Sequence, residues 1–209
     1  QYGADTMRLH IMFIGDFEKA VSWSNEAVKG SKRFLDRVWN LAESCSSSLD
    51  ITPANESALH KTIKKVTLDI DDLKMNTAIS AMMSLVNTLS ANGCSKGDMR
   101  QLLLLLSPFA PHMVEELWER LGFAAAAGCM ACQAQWPTWD EAKTVDATVE
   151  MAVQVCGKLR ATIVVPMDSD EETVVSAAMA VEKIAKIAEG KKLLKVIHIK
   201  NKLVNLILK

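Results

Sequence analysis

The sequence predicts an α+β fold, an antiparallel helical bundle followed by a small β-β-α-β-β domain, from three observations. Apolar residues recur at three and four up to about residue 140, and beyond about residue 148 they alternate at two. Two turn signals, Cys156-Gly157 and Asn201-Lys202, divide the alternating part into hairpins. With 49% apolar side chains in 209 residues, both parts have enough material to bury a core. The expected boundaries are a short leading segment over 1–15, the bundle over 16–140 and the small domain over 141–209.

The first long helix is predicted over roughly 27–43, with Phe34, Leu35, Val38, Trp39 and Leu41 on one stripe, and the Ser-rich stretch from Cys45 to Leu49 ends it. A second carries Leu59, Ile63, Val66 and Ile70, and a third carries Met75, Ile79, Met82, Met83, Val86 and Leu89 before Asn92-Gly93 stops it. A fourth begins near Asp98 and contains the block Leu102 to Leu106, whose all-round hydrophobicity marks the most buried helix of the bundle. Ser107-Pro108 breaks that helix. Pro111 then suits a first turn, and His112 to Leu121 form a short helix closed by Gly122 in the left-handed conformation. The small residues from Ala124 to Ala134 are expected to form a surface loop that leads through Trp136-Pro137 into a linker.

In the small domain Met151, Val153 and Val155 alternate into Cys156-Gly157, and Leu159, Ala161, Ile163 and Val165 alternate out of it to Pro166. Ser169 and Glu172 have capping-box spacing, opening one helix with Val174, Ala178, Val181, Ala185 and Ala188 on its apolar face and Gly190 at its end. Strands from Leu194 to Ile199 and from Leu203 to Leu208 close the chain, and such a sheet needs its helix as cover.

A formal net charge of -1 supplies no protein-wide attraction for polyanions, so nucleic-acid binding has to come from local patches. Five scattered cysteines, Cys45, Cys94, Cys129, Cys132 and Cys156, fit free thiols in a reducing cytosol. The longest apolar runs fall far short of the roughly 20 residues that span a bilayer, so the expectation is a cytoplasmic monomer with no membrane partner. No Walker or dinucleotide glycine pattern occurs, which places nucleotide chemistry outside this segment. Cys129-Met-Ala-Cys132 has half the spacing of a zinc site without a second pair, and it lies in the expected loop rather than at a helix start, as a redox pair would. The histidines, His10, His60, His112 and His198, are far apart, beside no nucleophile elbow or paired carboxylates. Neither catalytic residues nor metal ligands are therefore predicted.

Basic residues form three groups. Lys29, Arg33 and Arg37 recur every four positions with Lys32 beside them, opposite the apolar stripe; His60, Lys61, Lys64 and Lys65 lie off the stripe of the next helix. In the small domain Lys158, Arg160, Lys191, Lys192, Lys195, Lys200 and Lys202 gather near the two hairpins. Such faces suit RNA phosphates, which arginine forks and lysine charges neutralise without reading sequence. The plainer interpretation is solvated surface, with lysines guarding edge strands.

Several strings carry a resemblance. Tyr2-Gly-Ala-Asp-Thr-Met-Arg8 resembles the segment after the lysine-rich signature loop of class I aminoacyl-tRNA synthetases of the leucine, isoleucine and valine group. Ser107-Pro-Phe-Ala-Pro-His112 with Glu115-Glu-Leu-Trp118 is similar to the late helices of that group's anticodon-binding domain. Trp23-Ser24, Val28-Lys-Gly30, Arg33-Phe-Leu35, Met75-Asn-Thr-Ala-Ile79, Val155-Cys-Gly-Lys-Leu-Arg-Ala161 through Val165-Pro166, and the ending from Lys195 to Leu208 narrow the resemblance to bacterial leucyl-tRNA synthetases. Cys156 stands where that family commonly has asparagine, the stretch from Ala124 to Ala134 matches nothing in it, and the stretch from Ser46 to Ala58 looks variable.

The resemblance implies a C-terminal fragment: a remnant adjoining the catalytic domain over 1–15, an anticodon-binding-type bundle over 16–140 and a C-terminal tRNA-binding domain over 141–209. The start at Gln1, without an initiator Met, agrees with a fragment. It implies leucine tRNA and the catalytic domain of the same chain as partners, with the small domain touching the corner where the D and T loops meet. ATP and magnesium are implied for the complete enzyme and no cofactor for this piece. Two further possibilities stay open: a protein-interaction module without tRNA affinity once isolated, and a thiol or zinc protein built on Cys129 and Cys132.

Overall fold

A computed structural model describes residues 2–15, 23–144, 148–189 and 193–209, and the chain divides into two compact units at 145/146. Seven α-helices are described in the first unit: α1 Ala4–Phe13, α2 Asn25–Ser44, α3 Glu56–Asp71, α4 Met75–Asn92, α5 Lys96–Leu106, α6 Pro111–Arg120 and α7 Phe123–Ala127. The stripes Phe34/Leu35/Val38, Leu59/Ile63/Val66 and Ile79/Met82/Val86/Leu89 meet in one core with the five leucines from Leu102 to Leu106, all buried. Helix α4 closes at Gly93 with φ 85°, and α6 is followed by Gly122 at φ 85°, ψ 8°, the left-handed stop that glycine adopts without strain.

The leading segment contributes α1, whose Leu9 is fully buried in the bundle core. Its Asp5 also solves a problem at α6, where the preceding Ala110 has no side chain to cap the helix. The Asp5 carboxylate accepts the Met113 N–H at 2.7 Å and sits 2.8 Å from His112 Nδ1, supplying the missing acceptor from another helix.

A buried carboxylate organises the junction of α2, α3, α4 and α5. Asp98, fully buried on the first turn of α5, accepts the N–H of Ser95 at 3.0 Å, the N–H of Thr52 at 3.0 Å and the Asn55 amide at 2.8 Å. Ser95 returns its own bond to the Asp98 N–H, completing a capping box. The loop after α2 is clamped onto the same turn: Ser46 N–H donates to Cys94 O at 2.9 Å and Gly97 N–H to Ser48 O at 3.1 Å. A Cβ on Gly97 would lie 2.4 Å from Leu49 O and 2.5 Å from Asp50 O, so only glycine permits this approach.

Two expectations for this unit are corrected. The stretch from Ala124 to Ala134 is not a featureless loop: it holds α7 and a 3₁₀ turn over Ala131–Gln133. Alanines favour helix once Phe123 packs on Trp118 with ring centroids 5.0 Å apart, and the Glu115 carboxylate accepts the N–H groups of Ala131 and Cys132, each at 2.9 Å. The expected linker after Trp136 is instead a strap on α3. Trp136 donates its indole N–H to Thr67 Oγ1 at 2.9 Å, and a further 3₁₀ turn covers Glu141–Thr144.

In the second unit β1 Thr148–Val155, β2 Lys158–Pro166, β3 Leu193–Ile199 and β4 Leu203–Leu208 form one sheet in the order β2-β1-β4-β3. Each sequential pair is an antiparallel hairpin, and the hairpins join through the parallel pair β1 and β4. Met151, Val153, Val155, Ile163, Val165, Val204 and Leu206 face the helices, where Val174, Ala178 and Ile184 complete a second core. The single helix expected here is two, α8 Glu171–Ala180 and α9 Glu182–Ala188, because Val181 is extended at φ -74°, ψ 118°. A β-branched residue tolerates that geometry well, and the break lets α9 bury Ile184. Asp170, not Ser169, caps α8: its carboxylate accepts the Thr173 N–H at 2.9 Å, while the Ser169 hydroxyl donates to Pro166 O. The expected helix end at Gly190 lies outside the described residues.

The first hairpin turns through Cys156 at φ 49° and Gly157 at φ 78°, both left-handed, a geometry that Asn-Gly fits best. Replacing Cys156 by asparagine should stabilise the second unit by about 0.5–1 kcal/mol, read as a raised urea midpoint by circular dichroism. In the first unit, Asp98→Ala strands three donors and should cost about 3 kcal/mol, against about 0.5 kcal/mol or less for a surface control. Tryptophan fluorescence isolates that transition, since Trp23, Trp39, Trp118, Trp136 and Trp139 all precede residue 145.

Candidate nucleic-acid interface

The predicted basic groups differ in how much of their charge is neutralised within the protein. On α2, Lys29 pairs with Glu26 at 2.5 Å and Lys32 pairs with Asp36, both within the helix. Arg37 donates to the Asn87 side-chain oxygen at 2.6 Å, and neither it nor the exposed Arg33 has an acid partner among the described residues. This face therefore presents two arginines four residues apart, flanked by locally balanced lysines.

On α3 the strap supplies the partners. Lys64 meets Glu141 at 2.6 Å, Asp140 donates its N–H to His60 Nδ1 at 3.0 Å, and Lys143 of the strap binds Glu56 at 2.6 Å. Lys65 pairs with Asp69, a nearly buried carboxylate that also accepts the Thr77 hydroxyl at 2.7 Å, and Lys61 is likewise engaged. An ion pair offers phosphates a dipole rather than a full charge, so this group attracts an RNA backbone less than its lysine count implies. Lys64 and Trp139 both hydrogen-bond the Glu141 carboxylate and hold it below the ordinary carboxylate range.

The sheet separates the third group into two ends. Lys158 pairs with Val155 at one end, and Lys195 lies near that end opposite Ile207; Arg160 occupies the irregularity where the β1–β2 register shifts. Lys200 and Lys202 belong to the other turn, where Lys200 lies 3.6 Å from Asp168. Lys158, Arg160, Lys195 and Lys202 are exposed with no ion pair among the described residues. Lys191 and Lys192 lie outside the described residues.

One feature of the interface escapes the charge pattern altogether. The sheet face away from α8 and α9 exposes Leu159 (64%), Val164 (67%), Ile197 (39%) and Ile199 (46%) beside Lys195. The signal is present in the sequence, since Ile197 and Ile199 are apolar on the phase of β3 that Val196 and His198 do not use. Glu150 shares this face opposite Val164, so the uncovered apolar positions lie between one exposed acid and Lys195.

Cys94 and Cys132 are poorly suited to nucleophilic chemistry. A hydrogen bond to Glu115 raises the Cys132 thiol above its ordinary value, and burial pushes Cys94 up to about 12. Among the described residues, no group of three or more His, Cys, Asp or Glu side chains is placed to hold a metal ion.

The chain belongs to the family described as the anticodon-binding domain of tRNA ligase, whose model matches residues 55–175 and so crosses the division between the two units. It is 46% identical over 210 residues to the leucine–tRNA ligase of Alkaliphilus oremlandii, covering 100% of this chain and 26% of that enzyme. It also matches the crystal structure of a ternary complex of the agnB2 LeuRS from Agrobacterium radiobacter with tRNA and LeuAMS, at a TM-score of 0.68 and 28% identity, over 100% of this chain and 29% of that one. The chain thus spans about a quarter of the length of these relatives.

The strap makes a prediction of its own. The Glu141 carboxyl should titrate below its ordinary value of 4.5, and Lys64→Met should move the titration back toward it, followed by carboxyl carbon NMR. Because the folded-state value is the lower one, the contribution of this contact to stability is present above pH 4.5 and is lost as the pH falls through the depressed value.

Proposed function

We propose that this chain is the tRNA-binding portion of a leucine–tRNA ligase and positions leucine tRNA for ATP-dependent leucylation during translation. The 46% identity to a leucine–tRNA ligase along the whole chain supports the amino-acid assignment. The observation that carries the binding role is the uncovered sheet face, where exposed Ile197 and Ile199 stand beside Lys195 on β3 and, at the opposite edge, exposed Leu159 lies between Lys158 and Arg160 on β2, none of these cations having an ion pair among the described residues. Apolar side chains accept the flat face of an unstacked base, and Lys158, Arg160 and Lys195 neutralise the adjoining phosphates. A tRNA corner, where two loops meet, offers both groups together. In the bundle, Arg33 and Arg37 supply a second, weaker contact along a stem.

The proposal leaves bond making to the rest of the enzyme. ATP and magnesium belong there in this account, because the sequence carries no glycine-rich phosphate loop. The catalytic domain of the same polypeptide is the protein partner, and the working form is a cytoplasmic monomer. No described helix is long and apolar enough to cross a membrane.

Gel-shift titration of leucine tRNA tests the proposal. The chain should retard the tRNA, with log affinity falling linearly against log salt, and Lys195→Ala should reduce that slope by about 0.9 while weakening all tRNAs alike. Substituting Ile197 by serine should weaken binding by about 1 kcal/mol or more without changing the slope. A chain that retards no tRNA at roughly 50 µM is instead an interaction module, its lysines serving solubility.

A further inference from the structure

The bundle contains a cavity of about 240 Å³ between α3, α5 and the strap, which takes His60 from the α3 basic group but none of its lysines. Its lining includes Arg100, Gln101, His60, Gln135 and Thr138, and Arg100 is the one charged residue of that lining. Arg100 is half-buried, and its guanidinium carbon lies 5.7 Å from the centroid of the fully buried Trp118 ring. No carboxylate pairs with it among the described residues. An arginine kept out of full solvent contact without an acid partner leaves five N–H donors under-used. The cation–π contact holds the guanidinium near the ring without consuming its N–H donors.

The neighbours add donors of the same kind. His60 Nδ1 accepts the Asp140 N–H at 3.0 Å, so its ring proton sits on Nε2 and is a donor. Gln101 and Gln135 each bring an amide NH₂, and Thr138 a hydroxyl. A cavity whose polar lining carries one positive charge and no carboxylate, beside apolar Ile51, Ile63 and Leu104, favours an anion over a cation. The volume suits a tetrahedral oxyanion together with a few waters, each needing roughly 30 Å³.

We infer that this cavity is a binding site for one phosphate group, held by the Arg100 fork and completed by His60 and the two glutamines. The phosphate is either inorganic or an ester within a bound nucleic acid, and both present the same oxygens. The site lies on the bundle, apart from the sheet face of the proposed tRNA contact, and depends on that proposal only if the source is RNA.

The test titrates the full chain with inorganic phosphate at constant ionic strength, balanced with chloride, and follows the Arg100 Nε–H and His60 ring signals by NMR. Wild type should show saturable shifts at these two residues. Arg100→Gln, which keeps the side chain polar, should raise the dissociation constant by about tenfold or more, and Arg100→Lys by less. Shifts that do not saturate, or that persist undiminished in both variants, overturn the site. If Arg100→Gln misfolds, His60→Gln on the cavity's other wall serves in its place, and an unchanged affinity there is equally fatal. The source is settled by tRNA binding. A salt slope smaller by about 0.9 in Arg100→Gln identifies an RNA phosphate, whereas an unchanged slope alongside lost phosphate binding identifies the free anion. Phosphate binding by a chain that retards no tRNA would sink the tRNA proposal and leave this one standing.

Discussion

The first unit depends on a single buried carboxylate. Asp98 accepts from Ser95, Thr52 and Asn55, so one side chain joins the start of α5 to the loop after α2 and to the turn before α3. Asn55 extends the cluster, donating to Gly93 O at 2.8 Å and accepting from Asn92 at 3.1 Å, which brings in the end of α4. A carboxylate is the economical choice, because an ionised one is acceptor-only with about four sites, and here the neighbouring donors are backbone and amide N–H groups. The positive end of the α5 dipole adds to the same balance. Once the first turn of α5 is held, its five leucines enter the core in one orientation, and Arg100 and Gln101 emerge one turn later at the cavity wall. Gly97 is the steric half of this constraint, since the clamp and the close carbonyls of Leu49 and Asp50 require each other.

The second unit solves a different problem. Four strands with one helical layer leave a sheet face bare, and the hairpin turns have to hold register without help from that side. Side-chain amides do part of that: Asn205 Oδ1 accepts the Gly157 N–H at 3.1 Å, and Asn201 and Asp168 exchange bonds of 2.9 and 3.0 Å between turns. Asp168 and Asn201, both at positive φ, are residue types that tolerate the left-handed region, whereas Cys156 does so less readily. An asparagine at the Cys156 position would meet the same backbone requirement with less strain.

Which parts of this were legible in the sequence follows from the range of the forces involved. Helices α2 to α6 follow from local apolar spacing and turn residues, which act over a few positions, and Gly93 and Gly122 stop α4 and α6 where expected. The two-hairpin pattern is legible for the same reason. The strap was not, because Trp136 and Thr67 are 69 residues apart and Lys64 and Glu141 are 77 apart, so nothing local announces that α3 is covered. The helical turn over Phe123–Ala127 depends on Trp118, and the break at Val181 depends on where Ile184 packs, both tertiary effects that override local pattern. Of the candidate site, residue types and groupings were legible, as was the i,i+4 spacing of Lys65 and Asp69, whereas the acid partner of Lys64 and the bare apolar sheet face required the packing to be known.

That distinction decides where a chain of net charge -1 can attract a polyanion at all. Attraction at a distance comes from monopoles, and a lysine 2.6 Å from a glutamate contributes chiefly a dipole, whose field falls away faster and is further screened by salt within about 10 Å. Counting cations along a helix therefore overstates α3 and understates the sheet, where Lys158, Arg160, Lys195 and Lys202 stand without acids. The same reasoning raises Arg100 from an unremarkable position on α5 to a charge of interest: it is unpaired, backed by an aromatic ring and partly shielded from water, so its field is screened less than that of a fully exposed lysine. Where this chain can attract an anion depends on the charges that folding leaves unneutralised, and on α3 that is set partly by contacts between residues far apart in sequence.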